Sequence, residues 1–205
     1  MARAGATLRT ADEVMGGLVD TFGPCHVPRR RGGAFAALVR SIQYQQLAGP
    51  AAAAIHTRLL ALFDGEGVTP EAVLRLGVER LRTAGLSGAK AASVYDLASR
   101  VAEGALVLDG IGRATDEEIV RRLCTVRGIG EWTAHMFLIF QLGRLDVWPV
   151  GDYGVRKGYA MAYDLPELPT PRELTALGEV YRPYRTLAAW YFWRAVDGAA
   201  APPGW

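Results

Sequence analysis

Two stretches of the chain hold residues whose types and spacing suit chemistry. The first is Leu123-Cys124-Thr125-Val126-Arg127-Gly128-Ile129-Gly130-Glu131-Trp132-Thr133-Ala134. Two glycines flank one apolar residue, so the backbone can turn tightly and approach another surface with no Cβ in the way. Ile129 is placed to plug that turn into a core. The amides that open the following helix then point outward, a ready seat for a phosphate, with the Thr133 hydroxyl placed to support it. The same glycines would also serve a plain connection between two antiparallel helices, and a lone Gly-x-Gly does not decide between the two. The second stretch is Trp148-Pro149-Val150-Gly151-Asp152-Tyr153, which delivers Asp152 to a helix start 22 positions after Gly130. An aspartate there can cap the helix, or be held as a carboxylate beside whatever the first stretch binds.

The elements that must position these residues are helical nearly throughout. Phe35, Leu38, Val39 and Ile42 fall at helical spacing, as do Val94, Leu97, Ala98 and Val101. Thr69-Pro70-Glu71 and Thr170-Pro171-Arg172-Glu173 set a capping residue before a first-turn proline, and the second adds a capping-box glutamate. Thr115-Asp116-Glu117-Glu118 reads as another capping box. The spacing predicts helices over 11–21, 33–46, 50–63, 70–76, 78–84, 88–103, 115–123, 131–142, 152–161, 171–180 and 185–195. Trp132–Phe140 is apolar on nearly every side, the mark of a helix buried in the middle of a molecule. Ala105–Leu108 is the one short stretch that could be extended. The expected fold is all-α and two-lobed: 33–145 forms one lobe with the hairpin, and 1–32 plus 146–205 forms a second carrying Asp152.

Composition narrows the class without choosing a function. The chain has 205 residues, half of them apolar and about a fifth charged, which excludes a disordered or collagen-like polypeptide. No apolar run reaches the length of a membrane span, and the opening MARAGATLRT lacks the pattern of a signal peptide. Cys25 and Cys124 stand far apart and provide neither a disulfide framework nor a four-cysteine metal site, so a reducing, cytoplasmic setting is expected. The net charge is only +2, and of 23 basic residues only Lys90 and Lys157 are lysines. That balance is neutral between nucleic-acid binding and other functions. His26, His56 and His135 lack ligand spacing, and His135 reads as a satisfied core or cleft residue.

In this order, hairpin, Gly/Pro loop and aspartate resemble the helix-hairpin-helix–Gly/Pro–Asp DNA glycosylase superfamily, and within it the 3-methyladenine DNA glycosylase II family. The resemblance covers roughly residues 33 to 195, most specifically 123–153, then Arg182-Pro183-Tyr184-Arg185 leading to Trp193. It implies two helical lobes with an active cleft between them, and a minimal form without the β-rich domain of some relatives. The implied activity is monofunctional: excision of alkylated purines of the 3-methyladenine type from duplex DNA, for base excision repair. A damaged base must first leave the stack to be reached. Gln45, Gln46 and Leu47 match the loop that fills the vacated gap, with Tyr44 where relatives commonly carry glycine. Arg127, Gly128, Ile129, Gly130 and Thr133 would hold the DNA backbone without reading sequence. Trp132 and Trp193 match aromatic positions of the base pocket, with Met136, Tyr153 and Tyr44 beside them, and Trp190 reads as core. A cationic alkylated purine is attracted to such ring faces.

By the same resemblance Asp152 is the catalytic carboxylate, stabilising an oxocarbenium-like sugar, orienting the attacking water, or both. A cationic purine departs without a general acid, so one carboxylate suffices, and Glu131 is expected to face solvent. Bifunctional relatives carry a lysine nucleophile where this chain has Trp132, so no lyase activity is expected. No cysteine follows Asp152, so the iron–sulfur cluster of some relatives is not expected either, and no cofactor is needed. Family hairpins often hold Na+ or K+ on backbone carbonyls, here those of Cys124, Val126 and Ile129. The expected partner is double-stranded DNA carrying damaged bases, bound by a monomer. Two other readings stay open: a non-catalytic helix-hairpin-helix DNA-binding module, and a glycosylase of the same fold for oxidised or deaminated bases. The run Arg29-Arg30-Arg31 can touch phosphate or lie in a solvated loop.

Overall fold

Among the described residues, six helices begin at a side-chain cap. Asp12, Thr69, Ser87, Thr115, Asp152 and Thr170 each accept a hydrogen bond from the amide three residues on, which satisfies one of the donors a helix start leaves open. The computed structural model describes residues 2–28, 32–47 and 49–198. Among these there is no strand, and eleven α-helices follow one another: α1 (Ala2–Arg9), α2 (Glu13–Phe22), α3 (Ala34–Tyr44), α4 (Gly49–Ala61), α5 (Pro70–Thr83), α6 (Gly88–Ala102), α7 (Asp116–Leu123), α8 (Glu131–Met136), α9 (Tyr153–Ala162), α10 (Pro171–Leu177) and α11 (Arg185–Asp197). The all-helical expectation holds. Arg29, Arg30 and Arg31 lie outside the described residues.

Local departures have physical causes. Leu8 and Ala4, four residues apart, are buried and hold α1, which its glycine and lack of a cap hide in the sequence. The expected break between 70–76 and 78–84 is present: α5 is two helical pieces joined across a kink at Gly77, which has a φ of 72°. Thr170 completes a reciprocal capping box with Glu173. At α7, Thr115 caps the Glu118 amide, but the Glu118 carboxylate turns to Arg122 one turn ahead, so the second half of the expected box gives way to an i,i+4 ion pair. The expected helix 131–142 is α-helical to Met136 and widens to a π-helix over Phe137–Leu142. Phe137, Leu138, Ile139 and Phe140 are all buried, as an all-round apolar segment requires. Likewise α10 passes into a 3-10 turn over Gly178–Tyr181.

The chain divides between Phe137 and Leu138 into two compact units. In the unit from residue 32 to Phe137, α3 packs on α4, α6 and α8, α5 packs on α6, and α7 on α8. Its core includes Leu38, Ile42, Leu59, Leu81, Leu97 and Ile119, all with no exposed surface. Each such side chain contributes about 1.5–3 kcal/mol by leaving water. Buried Gln43 ties α3 to α4, donating to the Ala52 carbonyl at 2.6 Å and meeting His56 Nδ1 at 2.8 Å.

In the other unit, α11 is the centre: α9, α2 and α1 all pack on it. The Tyr191 hydroxyl donates to the Gly23 carbonyl at 2.9 Å, and the Asp12 carboxylate accepts from the Tyr163 hydroxyl at 2.7 Å, so the N-terminal helices are tied to residues far along the chain. A Cβ on Gly158 of α9 would lie 2.0 Å from the Phe192 carbonyl oxygen. The two helices therefore cross with backbone against backbone, and only a residue without a side chain permits that approach.

Candidate active site

The hairpin is built as its sequence implies. Helix α7 ends at Leu123, the amides of Val126 and Ile129 bond back to Leu123 and Val126 at 3.1 Å, and Ile129 is buried. Gly128 has a φ of 74°, and a Cβ there would sit 2.4 Å from Ser93 Oγ, so conformation and space both demand glycine. Gly130 caps α8 in extended conformation with no side-chain hydrogen bond to the first-turn amides. From α6, the Asp96 carboxylate accepts the Arg127 amide at 2.8 Å and Arg100 Nε at 2.9 Å. Burial pushes the Asp96 carboxyl upward, but these bonds and the two arginine charges outweigh it and hold it below the usual aspartate value. The Arg127 side chain is exposed.

Beside the hairpin in the same unit lies the turn Tyr44-Gln45-Gln46-Leu47. Gln45 has φ −50° and ψ 132°, Gln46 has φ 56°, and the Leu47 amide bonds to the Tyr44 carbonyl at 3.3 Å. This is a type II turn with glutamine at the position that favours glycine. Gln46 and Leu47 are exposed, while the Gln45 amide group donates to the Gly128 carbonyl at 2.9 Å and to Thr133 Oγ1 at 3.0 Å. Gln45 is thus an anchor of the turn, and Thr133, expected beside the phosphate, is buried with its hydroxyl accepting from Gln45. Tyr44, Gln45, Gln46, Leu47, Trp132 and Thr133 line a pocket of about 440 Å³. The Arg40 guanidinium stacks on the Tyr44 ring at 4.2 Å, and Met136 is buried.

In the other unit, the Gly/Pro loop is fixed along its length. Arg185 grips Asp146 through Nε at 2.8 Å and Nη2 at 3.0 Å. Thr186 Oγ1 donates to the Arg144 carbonyl and accepts the Val147 amide, and the Trp148 indole donates to the Leu174 carbonyl at 2.7 Å. Asp152 is 5% exposed. Its Oδ1 accepts two hydrogen bonds, from the Val155 amide and from the Trp193 indole, each at 2.8 Å. Capping is therefore real, and a second donor holds the same oxygen. The Trp193 ring stacks on Phe140, centroids 6.0 Å apart, and is buried, as is Trp190. A Cβ on Gly154 would meet Trp193 Cδ1 at 2.9 Å and Asp152 Oδ1 at 3.1 Å, so the glycine makes the seat for the indole. Tyr153 is exposed.

Sequence reasoning passed over Lys90, Ser93 and Asp96 on α6, and Gly154 on α9. A lysine among so many arginines was the available signal for the first. Glu131 is exposed as expected, 3.9 Å from His135. Burial lowers the His135 pKa, partly offset by Glu131 and Asp116. Among the described residues, no group of His, Cys, Asp and Glu side chains could hold a metal ion. In its own unit, a carboxylate fixed by the Val155 amide and the Trp193 indole suits stabilisation of a developing positive charge; in the other, the glycine hairpin opens a helix start suited to a phosphate.

Comparison with known proteins agrees. The family model of the HhH-GPD superfamily base excision DNA repair protein matches residues 39–183. DNA-3-methyladenine glycosylase 1 of Schizosaccharomyces pombe is 36% identical over 159 residues, covering 77% of this chain and 70% of its own. The structure of the 3-methyladenine DNA glycosylase of that organism in complex with abasic DNA superposes with a TM-score of 0.85 at 33% identity, over 94% of this chain and 95% of that one. A DNA-3-methyladenine glycosidase from Bacillus halodurans gives 0.84 at 33% identity, over 95% and 89%. With most of its length matched by the family model, the chain belongs to the HhH-GPD superfamily of base excision DNA repair proteins.

Proposed function

We propose that the protein is a monofunctional DNA glycosylase that hydrolyses the N-glycosidic bond of alkylated purines of the 3-methyladenine type in duplex DNA. The observation that carries this is the buried Asp152 carboxylate, held by the Val155 amide and the Trp193 indole, in a chain similar over most of its length to proteins named for that activity. The amides opening α8 and the exposed Arg127 hold the DNA backbone. Gln46 and Leu47, at the exposed tip of the type II turn, take the place of the extruded nucleotide. Trp132, half-buried in the pocket wall, offers a ring face to a cationic base, an attraction of about 0.5–2 kcal/mol, whereas the Tyr44 ring already carries the Arg40 guanidinium. As the C1′–N bond breaks, its electron pair moves onto the base, which leaves neutral. Asp152 faces the positive charge that develops on the sugar, and water adds at C1′ and gives up its proton to the surrounding solvent. Trp132 supplies no amine, so no Schiff base forms and the DNA strand stays intact.

The hairpin carbonyls of Cys124, Val126 and Ile129 are neutral oxygen donors of the kind that replace the hydration shell of Na+ or K+, and the Val126 carbonyl also accepts the Ile129 amide. An ion held by these carbonyls would supply positive charge that favours a bound phosphate. The reacting groups act without it.

The test is release of methylated purines from alkylated duplex DNA. Wild type releases them, and Asp152→Asn loses about 10²–10³-fold in single-turnover rate, the scale of one preorganised electrostatic group. Wild-type activity in Asp152→Asn would overturn the assignment. The cap bond to Val155 also fits a non-catalytic DNA-binding module, which predicts salt-sensitive duplex binding with no abasic product on any lesion. A panel of single-lesion oligonucleotides separates that reading, and separates alkylated from oxidised or deaminated bases.

A further inference from the structure

Three polar side chains one turn apart on α6 hold the two loops assigned to DNA. Lys90 Nζ donates to the carbonyls of Gln43 at 2.9 Å and Gln45 at 2.5 Å. These belong to the C-terminal end of α3 and the turn after it, where a helix leaves carbonyls open and favours a cation. Ser93 fills the space under Gly128 that a Cβ would claim. Asp96 accepts the Arg127 amide at 2.8 Å. Gln45 then closes the circuit, bonding from the turn to the hairpin at Gly128 and Thr133. Turn, hairpin and α6 are thus joined pairwise within one unit. Burial lowers the Lys90 pKa, the mark of an ammonium drawn from water onto these carbonyls.

We infer that α6 sets the register of the extrusion turn against the hairpin, with Lys90 a positioning residue for the turn and Asp96 one for the hairpin; this rests on the duplex glycosylase reading above. Extrusion requires the tip at Gln46 and Leu47 to press on the duplex while the hairpin grips its backbone. A turn free to recoil would do neither, and displacements near 1 Å at such sites cost about 100-fold in rate.

The experiment compares single-turnover excision of one alkylated purine in two duplexes, fully paired or opposite an abasic position, where little work is needed to expose it. Lys90→Met is expected to slow excision from the paired duplex about tenfold, the scale of losing charge-assisted hydrogen bonds, while the unpaired lesion and duplex affinity stay within about twofold. Asp96→Ala is expected to weaken duplex affinity and slow both substrates alike. A purely structural role for Lys90 would slow both substrates together, and that outcome, or an unchanged ratio, overturns the inference. If Lys90→Met does not fold, Lys90→Gln, which keeps one amide donor group, carries the same ratio test with an expected drop of about threefold. A wild type inactive on both duplexes overturns the glycosylase reading and this inference with it; an active wild type with an unchanged Lys90 ratio overturns this inference alone.

Discussion

Gly154→Ala isolates the seat of Trp193 on Asp152. The added methyl would lie 2.9 Å from Trp193 Cδ1, 3.2 Å from its Nε1 and 3.1 Å from Asp152 Oδ1. Ordinary contact requires roughly half an ångström more, and the indole is backed by the Phe140 ring. Such a retreat would stretch the 2.8 Å bond between indole and carboxylate beyond the usual range. Alanine within a helix contributes about 0.5–1 kcal/mol over glycine, and overpacking costs about 1–3 kcal/mol, so a net loss of about 1–2 kcal/mol is expected. The rate should suffer more. If about 1 Å of misplacement costs 100-fold, half of that predicts about tenfold in single-turnover excision of methylated purines from alkylated duplex DNA. Gly17→Ala is the control: it is exposed on α2 with nothing within 4 Å of the new Cβ, and should gain about 0.5–1 kcal/mol at unchanged rate. A folded Gly154→Ala protein excising at the wild-type rate would refute the link between indole position and carboxylate function.

Other perturbations test neighbouring steps. Gly158→Ala drives a Cβ to 2.0 Å from the Phe192 carbonyl oxygen, backbone that cannot swing away, and should cost at least about 3 kcal/mol in urea unfolding, at the upper end of overpacking. Trp193→Phe keeps a ring to stack on Phe140 but removes the donor to Asp152, and should lower the excision rate about tenfold for one charge-assisted hydrogen bond. Gln46→Gly removes the side chain at the tip and relieves a φ of 56°; stability should stay within about 1 kcal/mol while excision from paired duplex falls, and Gln46→Ala should show the same rate loss. His135 is held neutral by burial, so its folded pKa lies below the ordinary imidazole value of 6.5. The unfolded chain then binds the proton first as pH falls below 6.5, and stability drops there; melting temperatures at pH 7.5 and 5.5 should differ less in His135→Gln.

What was legible in the chain was whatever its local chemistry settles. Thr69 and Thr170 cap helices because a hydroxyl three residues before an amide has one good partner, and the apolar spacing of α3 selects its buried face. Gly128 and Asp152 stood out because glycine beside an apolar plug, and aspartate after a Gly/Pro loop, are local patterns. What stayed hidden depends on residues far apart. Glu118 had Thr115, Arg121 and Arg122 all within reach, and the pattern could not rank them. The anchoring role of Gln45 depends on Gly128 and Thr133, over 80 positions away. No spacing rule shows that Gly154 faces an indole from α11, because closeness between two helices is a property of their crossing.

Each unit solves the same physical problem in the same way. A loop rich in turn residues has too few apolar contacts to hold a reactive group still, since its own backbone donors and acceptors lack regular partners. Here those partners come from a neighbouring helix. Lys90 and Asp96 on α6 hold the turn and the hairpin, while Arg185, Thr186 and Trp193 on α11 hold the Gly/Pro loop and Asp152. Charged or charge-assisted bonds do most of the holding, and these depend steeply on distance and angle. A modest shift of α6 or α11 would therefore disarm a loop while leaving the apolar core almost intact. It follows that substitutions on the polar faces of these two helices should lower excision further than they lower stability, whereas substitutions in the cores, such as Leu97→Ala, should lower both together.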